Sequence, residues 1–355
     1  MRIKSIGYEV IRMILFCPWI VAAQKGATPC STLCFRKETI VKRVEYIQYG
    51  KPEVLMISEV DKPKPSKDEI LVKVLASSIN AVDWKNRQGR LRLVSGLLKP
   101  RVKQGFDVAG LVEDVGYGVS GIQAGDKVLG QLGNFQGGAF AQYVVLKDKQ
   151  YCPAPPEISF AELAGIPMAG TTAWQALFEN AHLVPDSHVL INGGSSGVGH
   201  YAIQIAKAYG ATVTAICSGK NVEFCRALGA DVLIDYQKED FINREAQYDI
   251  IFDVVNNQSM ERVKRVMKPN AAYIGTTPTS AQLWSILKSS FSSKKAKAVI
   301  VRPNTKALAD ICRLMEEGTL KTKIDKIFNL SEIIEAHRYS ELSQTCGKVI
   351  IQISE

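Results

Sequence analysis

No two of the eight cysteines in this 355-residue chain have the C-x-x-C spacing of a zinc knuckle or a redox dithiol. Cys30 and Cys34 are the nearest pair. The others (Cys17, Cys152, Cys217, Cys225, Cys312, Cys346) are scattered, which suits a reducing compartment and excludes a disulfide framework. Histidine is scarcer: His182, His188, His200 and His337 are the whole complement, and none precedes residue 169. A catalytic zinc takes three protein ligands from Cys, His or carboxylates. No metal is therefore expected, and the four histidines read as surface or packing residues. Strong charge of one sign is also missing. The net charge is +9, of which residues 1–40 hold +4, and the +5 left over is too mild to point to nucleic acid. An anionic cofactor accounts for part of it. There is no internal repeat and no low-complexity tract. The apolar run Met13–Ala23 is short for a membrane span and Pro18 interrupts it.

Residues 1–40 stay open in meaning. Basic residues, an apolar run and then small residues resemble a secretory leader, while a basic, acid-poor stretch also fits an organelle transit peptide. A third reading is that translation starts later, since VKRVEYIQYGKPEVL begins crisply at Val41 as a strand and turn. The expected compartment is cytoplasmic, or an organelle or the exterior if the leader is genuine. These residues are set aside from the fold argument.

What remains has an ordinary globular composition, 46% hydrophobic and 22% charged, and a length that suits two domains. Residues 41–168 show short β-rich runs such as ILVKVLASSIN (70–80) and DVAGLVEDVG (107–116), broken by turns. Over 169–302, strand-like runs (HVLIN, TVTAIC, DVLIDY, IIFDVV, AAYIGT) alternate with helix-like ones (YAIQIAKAYG, VEFCRALGA, MERVKRVM), which predicts parallel βαβ units. Residues 303–355 give two helices, TKALADICRLMEEG and SEIIEAHRYSEL, and a last strand, GKVIIQIS.

The stretch VLINGGSSGVG (189–199) lies between a buried strand and a helix. Residues without bulk there let backbone N–H groups approach a pyrophosphate at a helix N-terminus. Gly194, Ser195, Ser196, Gly197, Val198 and Gly199 are the candidate cradle, although the strict G-x-G-x-x-G pattern is not met. An NAD site ends its second strand with Asp or Glu on the ribose 2′-hydroxyl. Here TVTAIC runs into Ser218-Gly219-Lys220-Asn221 with no carboxylate. Ser218 and Lys220 suit a 2′-phosphate, and Tyr236 closes the next strand, so NADP(H) is the expected cofactor.

These segments, with SSINAVDWKNRQG (77–89), GFDVAGLVEDVGYGV (105–119), AGDKVLG (124–130), AGIPMAGTTAWQAL (164–177) and GKVIIQ (347–352), resemble the zinc-independent branch of the medium-chain dehydrogenase/reductases, the quinone oxidoreductase or enone reductase group, over residues 41–355. Within it, NAVDWK is similar to the chloroplast-envelope quinone oxidoreductase and reticulon-interacting mitochondrial reductase types. The resemblance implies an α/β fold: a GroES-like β-rich catalytic domain (41–168), a Rossmann doubly wound parallel-sheet domain (169–302), and a C-terminal part (303–355) returning to the first. Zinc-dependent relatives carry Cys near Ala81 and a His-Glu pair where this chain has Phe106-Asp107. The implied activity is NADPH-dependent reduction of a quinone or α,β-unsaturated carbonyl. The alternatives are an enoyl-thioester reductase and a dinucleotide-binding scaffold without turnover. Asn80, Asp83 and Lys85 would lie near the nicotinamide, with Lys85 as proton donor or only a loop anchor, and Tyr49 on the substrate wall. Thr172, Asp253, Gly275, Thr276 and Lys348 would line the cofactor cleft. The chain would be a monomer or homodimer. Lys103-Gln104 stands where branch members usually place Pro before GFD. The segment 280–300 reads as an amphipathic helix and linker at the cleft edge, or as a weak membrane contact through Lys288, Lys294, Lys295 and Lys297.

Overall fold

The apolar, β-branched runs form two large sheets in a computed structural model that describes residues 39–354 except Ala246 and 277–279. The leader, transit-peptide and late-start readings fall on residues that lie, but for the last two, outside this range. Strands β1 (Ile40–Glu45) and β2 (Met56–Asp61) make a two-stranded sheet. Then β3 (Glu69–Ile79), β4 (Asp107–Val115), β5 (Lys127–Gln131), β6 (Tyr143–Lys147) and β7 (Tyr151–Pro153) pair antiparallel. Helices Phe160–Ala164 and Pro167–Trp174 follow. A six-stranded parallel sheet comes next, from β8 (His188–Asn192), β9 (Thr212–Cys217), β10 (Val232–Asp235), β11 (Tyr248–Asp253), β12 (Met267–Gly275) and β13 (Lys295–Ala298). Its order is β10-β9-β8-β11-β12-β13, so the chain reverses direction between β8 and β11. In such sheets ligands bind beyond the carboxyl ends of the strands at that reversal.

The remaining strands go back to the first sheet: β14 (Ile324–Asn329) lies parallel to β15 (Lys348–Gln352), and β15 runs antiparallel to β3. The register sets Val349 opposite Ile79, which brings Lys348 beside Asn80. No seam falls at residue 168. One apolar cluster joins Ala76, Ala109 and Leu129 of the antiparallel sheet to Ala169 and Ala173 of the helix and to Val189 and Ile191 of β8. Among the described residues no helix is long and apolar enough to cross a membrane.

Two local expectations are corrected. The helix-like MERVKRVM is helical only to about Val266, because Met267 starts β12 and pairs with Tyr248. The linker after helix Ser280–Ser289 is instead the edge strand β13, Lys295–Ala298, in register with Ala272–Gly275 of β12.

Candidate active site

Strand β3 ends in Ser77-Ser78-Ile79, and helix Ala81–Arg87 starts at once, capped by Asn80. Asp83, at the third helical position, reaches back so that its Oδ2 accepts the Asn80 N–H at 2.8 Å. Its Oδ1 accepts the Gly105 N–H at 2.8 Å, which clamps the helix start to the segment entering β4. Burial pushes the Asp83 carboxyl up to about 7, against the pull of those two N–H donors. Asp83 is fully buried with both oxygens engaged. Both oxygens thus fasten the start of the helix that carries Lys85.

The centre of the site is a residue that the sequence marked only as a missing zinc ligand. Asp107, first in β4, is fully buried. Its Oδ1 accepts the Met168 N–H at 2.7 Å, and its Oδ2 accepts the Ser78 hydroxyl at 2.5 Å and the Asn80 Nδ2 at 2.7 Å. Lys348 Nζ stands 3.7 Å from that same Oδ2 and donates to Asn80 Oδ1 at 2.6 Å. Burial raises the Asp107 carboxyl and lowers the Lys348 ammonium, while each group's charge opposes the other's shift. Lys348 is thus buried with its ammonium turned toward Asn80 and Asp107. Its stem does pass the glycine turn: a Cβ added at Gly197 would lie 3.2 Å from Lys348 Cδ. A buried ion pair is retained only with good geometry and satisfied lone pairs, and Asn80 supplies a group for each partner.

Lys85, on the same helix, is different. It is half-buried, its ammonium lies 5.5 Å from the Trp84 ring, and that ammonium makes no hydrogen bond or ion pair with a described residue. Burial, then the neighbouring Arg90, lower its pKa.

The glycine turn fits a pyrophosphate on its own geometry. Gly193 has φ +93°, which favours glycine. A side chain at Gly199 would strike the Gly193 carbonyl, so the helix could not start as close to its strand. The Ser196 hydroxyl donates to Gly193 O at 2.7 Å and accepts the Gly199 N–H at 3.1 Å, closing the turn. The N–H groups of Ser195, Gly197 and Val198 donate to no described acceptor. Three free N–H groups ahead of helix Gly199–Ala208 are what an anion needs. His200 is the second residue of that helix, buried and pushed down to about 4 by burial, hence neutral at pH 7.

The other cofactor candidates divide. Ser218 is half-buried and Lys220 exposed at the end of β9, and Tyr236 is exposed after β10. The end of β9 itself carries no carboxylate, but Asp235 of β10 pairs with Cys217 in register, and a Cβ at Gly219 would lie 2.7 Å from its Oδ2. The Thr172 hydroxyl donates to Met168 O at 2.7 Å within its own helix. Asp253 is fully buried and consumed by Asn192 Nδ2, the Asn256 and Gln258 N–H groups and the Tyr273 hydroxyl. It shapes the loop after β11, at the end of the strand next to β8. Gly275 ends β12, and the Thr276 hydroxyl donates to Val254 O at 3.1 Å, across the strand ends at the crevice. Tyr49 is turned to Ser95 and Gly96. The lysines offered for a membrane contact are largely occupied: Lys294, Lys295 and Lys297 donate to the carbonyls of Lys264, of Ser289 and Ser290, and of Asn180. Among the described residues no three His, Cys, Asp or Glu side chains stand close enough to hold a metal ion.

A parallel sheet with a dinucleotide-type turn at its reversal, sharing a core with an antiparallel lobe that supplies a buried Asn80-Asp107-Lys348 cluster, defines a two-lobed NAD(P)(H)-linked oxidoreductase. The alcohol dehydrogenase GroES-like domain family matches residues 66–156, and the zinc-binding dehydrogenase family matches residues 228–351. A chloroplast envelope quinone oxidoreductase homolog of Arabidopsis thaliana is 33% identical over 88% of this chain and 98% of its own length. An NADPH-dependent alkenal/one oxidoreductase, also of Arabidopsis thaliana, is 32% identical over 86% of this chain and 78% of its own. The quinone oxidoreductase of Coxiella burnetii superposes with a TM-score of 0.81 at 31% identity, covering 89% of this chain and all of that one. The chain belongs to the medium-chain dehydrogenase/reductase superfamily, in its zinc-independent quinone oxidoreductase branch.

Proposed function

We propose that this enzyme reduces quinones or α,β-unsaturated carbonyl compounds, with NADPH as the hydride donor and without a metal. The names of its relatives in the branch support the substrate class. The observation that carries the reading is Lys85: a half-buried ammonium with a lowered pKa and no anionic partner, on the helix that Asn80 caps. When bound, the nicotinamide supplies a hydride to the β-carbon or the quinone ring. The chain must then meet the negative charge that develops on oxygen. Lys85 is the group proposed to donate a hydrogen bond or proton there, and lowering its pKa brings it closer to the working pH. Asp83 and Asn80 hold its helix in place, so that little reorganisation is needed as charge develops. The free N–H groups at Ser195, Gly197 and Val198 are proposed to bind the pyrophosphate. Ser218, Lys220 and Tyr236 are proposed to bind the 2′-phosphate, with Thr172, Gly275 and Thr276 along the cleft.

The test is NADPH consumption with a panel of quinones, enones and enoyl thioesters, using the whole chain. Turnover of quinones or enones at rates above the thioesters is expected. Preference for a thioester would make this an enoyl reductase. NADPH binding without turnover of any member would make it a dinucleotide-binding scaffold.

A further inference from the structure

The mild net charge conceals a sharp segregation. From Trp84 to Phe106 the chain has seven Lys or Arg and no Asp or Glu. From Arg262 to Ala309 it has ten Lys or Arg and again no acid. Outside these two stretches 27 basic residues face 35 acidic ones, a net of −8. The positive excess of the whole chain therefore sits in two segments. One leaves the helix of Lys85 and returns at the donor to Asp83, and the other contains Gly275 and Thr276.

In the first segment the cations are interleaved with leucines that pack against nothing. Arg90, Arg92, Lys99 and Arg101 are all exposed. Leu93 is 92% exposed, Leu97 66% and Leu98 93%. The loop is nonetheless built. The Arg101 N–H donates to Ser95 O at 2.8 Å and closes it. The Ser95 hydroxyl donates to Leu91 O at 3.0 Å, and Tyr49 bonds to Ser95 and Gly96 at the base. Gly96 has φ +121°, a turn that lifts Leu97 and Leu98 to the tip. Arg92 lies over the Tyr49 ring and Arg90 over Trp84, and none of the four cations is paired with a carboxylate. This sets the loop apart from the second segment, where three lysines are bonded to backbone carbonyls.

We propose that residues 90–101 are a docking loop for an anionic lipid surface, with Leu93, Leu97 and Leu98 entering the acyl boundary and Arg90, Arg92, Lys99 and Arg101 meeting lipid phosphates. Apolar side chains ringed by cations and free of acids match the two forces that hold a protein to such a surface, burial of apolar area and attraction to its negative potential. The proposal does not rest on the assigned substrate, and its test needs neither cofactor nor turnover.

The full chain is mixed with vesicles of phosphatidylcholine containing increasing phosphatidylglycerol, and the bound fraction is read by co-sedimentation. Binding should rise with anionic lipid and fall with added salt, because the attraction is screened beyond about 8–10 Å at physiological ionic strength. Two variants separate the forces: Leu93→Ser/Leu97→Ser/Leu98→Ser, and Lys99→Gln/Arg101→Gln. Each should lose roughly tenfold or more in partition coefficient, since a surface lysine or arginine contributes on the order of fivefold on its own. All these side chains are exposed, so both variants should keep the wild-type melting temperature. Three results overturn the proposal. The first is no binding to anionic vesicles. The second is equal binding to pure phosphatidylcholine. The third is wild-type binding by both variants, which would move the contact elsewhere, for example to residues 13–23.

Discussion

Replacing Lys348 with Met tests the buried cluster directly. The substitution keeps most of the stem and removes the ammonium that stands 3.7 Å from Asp107 Oδ2 and donates to Asn80 Oδ1. At an effective dielectric constant near 20, two charges this close attract by about 4 kcal/mol. Removing one partner of a buried pair typically costs about 3–5 kcal/mol, because the other charge is left without its counterion. Asp107 keeps three donors, from Ser78, Asn80 and Met168, so the lower end, about 3 kcal/mol, is expected. The assay is urea unfolding of the cofactor-free chain at pH 7, with Asp107→Asn and the double variant completing a cycle. The double variant should recover about 1–2 kcal/mol relative to additivity, since it removes both charges together. pH supplies a second handle. Without Lys348 the Asp107 carboxyl rises further above its ordinary value of 3.8. A carboxyl raised in the folded state holds its proton there, so its contribution is intact below that value and is lost as pH rises through the folded one. The variant's deficit should therefore be smallest near pH 4 and grow as pH increases. A deficit below about 1 kcal/mol, or strict additivity with Asp107→Asn, would refute the buried pair as a structural element.

NADPH should bind at least about tenfold more tightly than NADH, and Lys220→Ala should remove most of that preference, since a charge-assisted contact contributes about 1.5–3 kcal/mol before solvent screening. Equal affinities in fluorescence titrations would reverse the cofactor assignment. Lys85→Met should slow single-turnover NADPH oxidation while leaving NADPH affinity nearly unchanged, and an unaltered rate would leave Lys85 as a loop anchor. Asp83→Asn should destabilise the chain by about 1–3 kcal/mol, since an amide offers only one acceptor to two N–H donors. The wild type, with Asp83 moved from 3.8 to about 7, should lose stability as pH rises through that window, and the variant's profile should be flatter there. Chelators should leave activity intact. A stoichiometric zinc, lost together with activity on chelation, would contradict the metal-free assignment.

Much of the architecture was legible because the strands of the parallel sheet are buried on both faces. HVLIN and IIFD are nearly continuous apolar runs, and only a strand between helical layers requires that. Strand β13 was not legible. KAKA alternates only lysine with alanine, too little apolar bulk to mark a strand, and it becomes one because β12 offers it an edge and Lys297 reaches the Asn180 carbonyl. The site followed the same division. Gly193 to Gly199 could be read because the backbone conformation demands small residues. Asp107 could not, because its role depends on partners from three separate segments: Ser78 and Asn80, Met168, and Lys348. Asp235 was missed for the same reason. It lies on β10, yet register alone sets it against Gly219 at the end of β9.

The pairing of β15 with β3 also fixes an order of assembly. Ala76 of β3 finds one neighbour in β4 soon after synthesis, but the strand that pairs with Ala76–Ile79 on the other side, Val349–Gln352, is made some 270 residues later. At about 5–20 residues per second that interval is on the order of ten seconds to a minute. Throughout it the nascent antiparallel lobe presents an open sheet edge beside an Asp107 that still lacks its ammonium. The parallel sheet and its glycine turn, complete by Ala298, can close first, before β15 completes the antiparallel lobe. A ribosome-bound chain stalled just before Lys348 should therefore retain a cofactor affinity resin while consuming no NADPH.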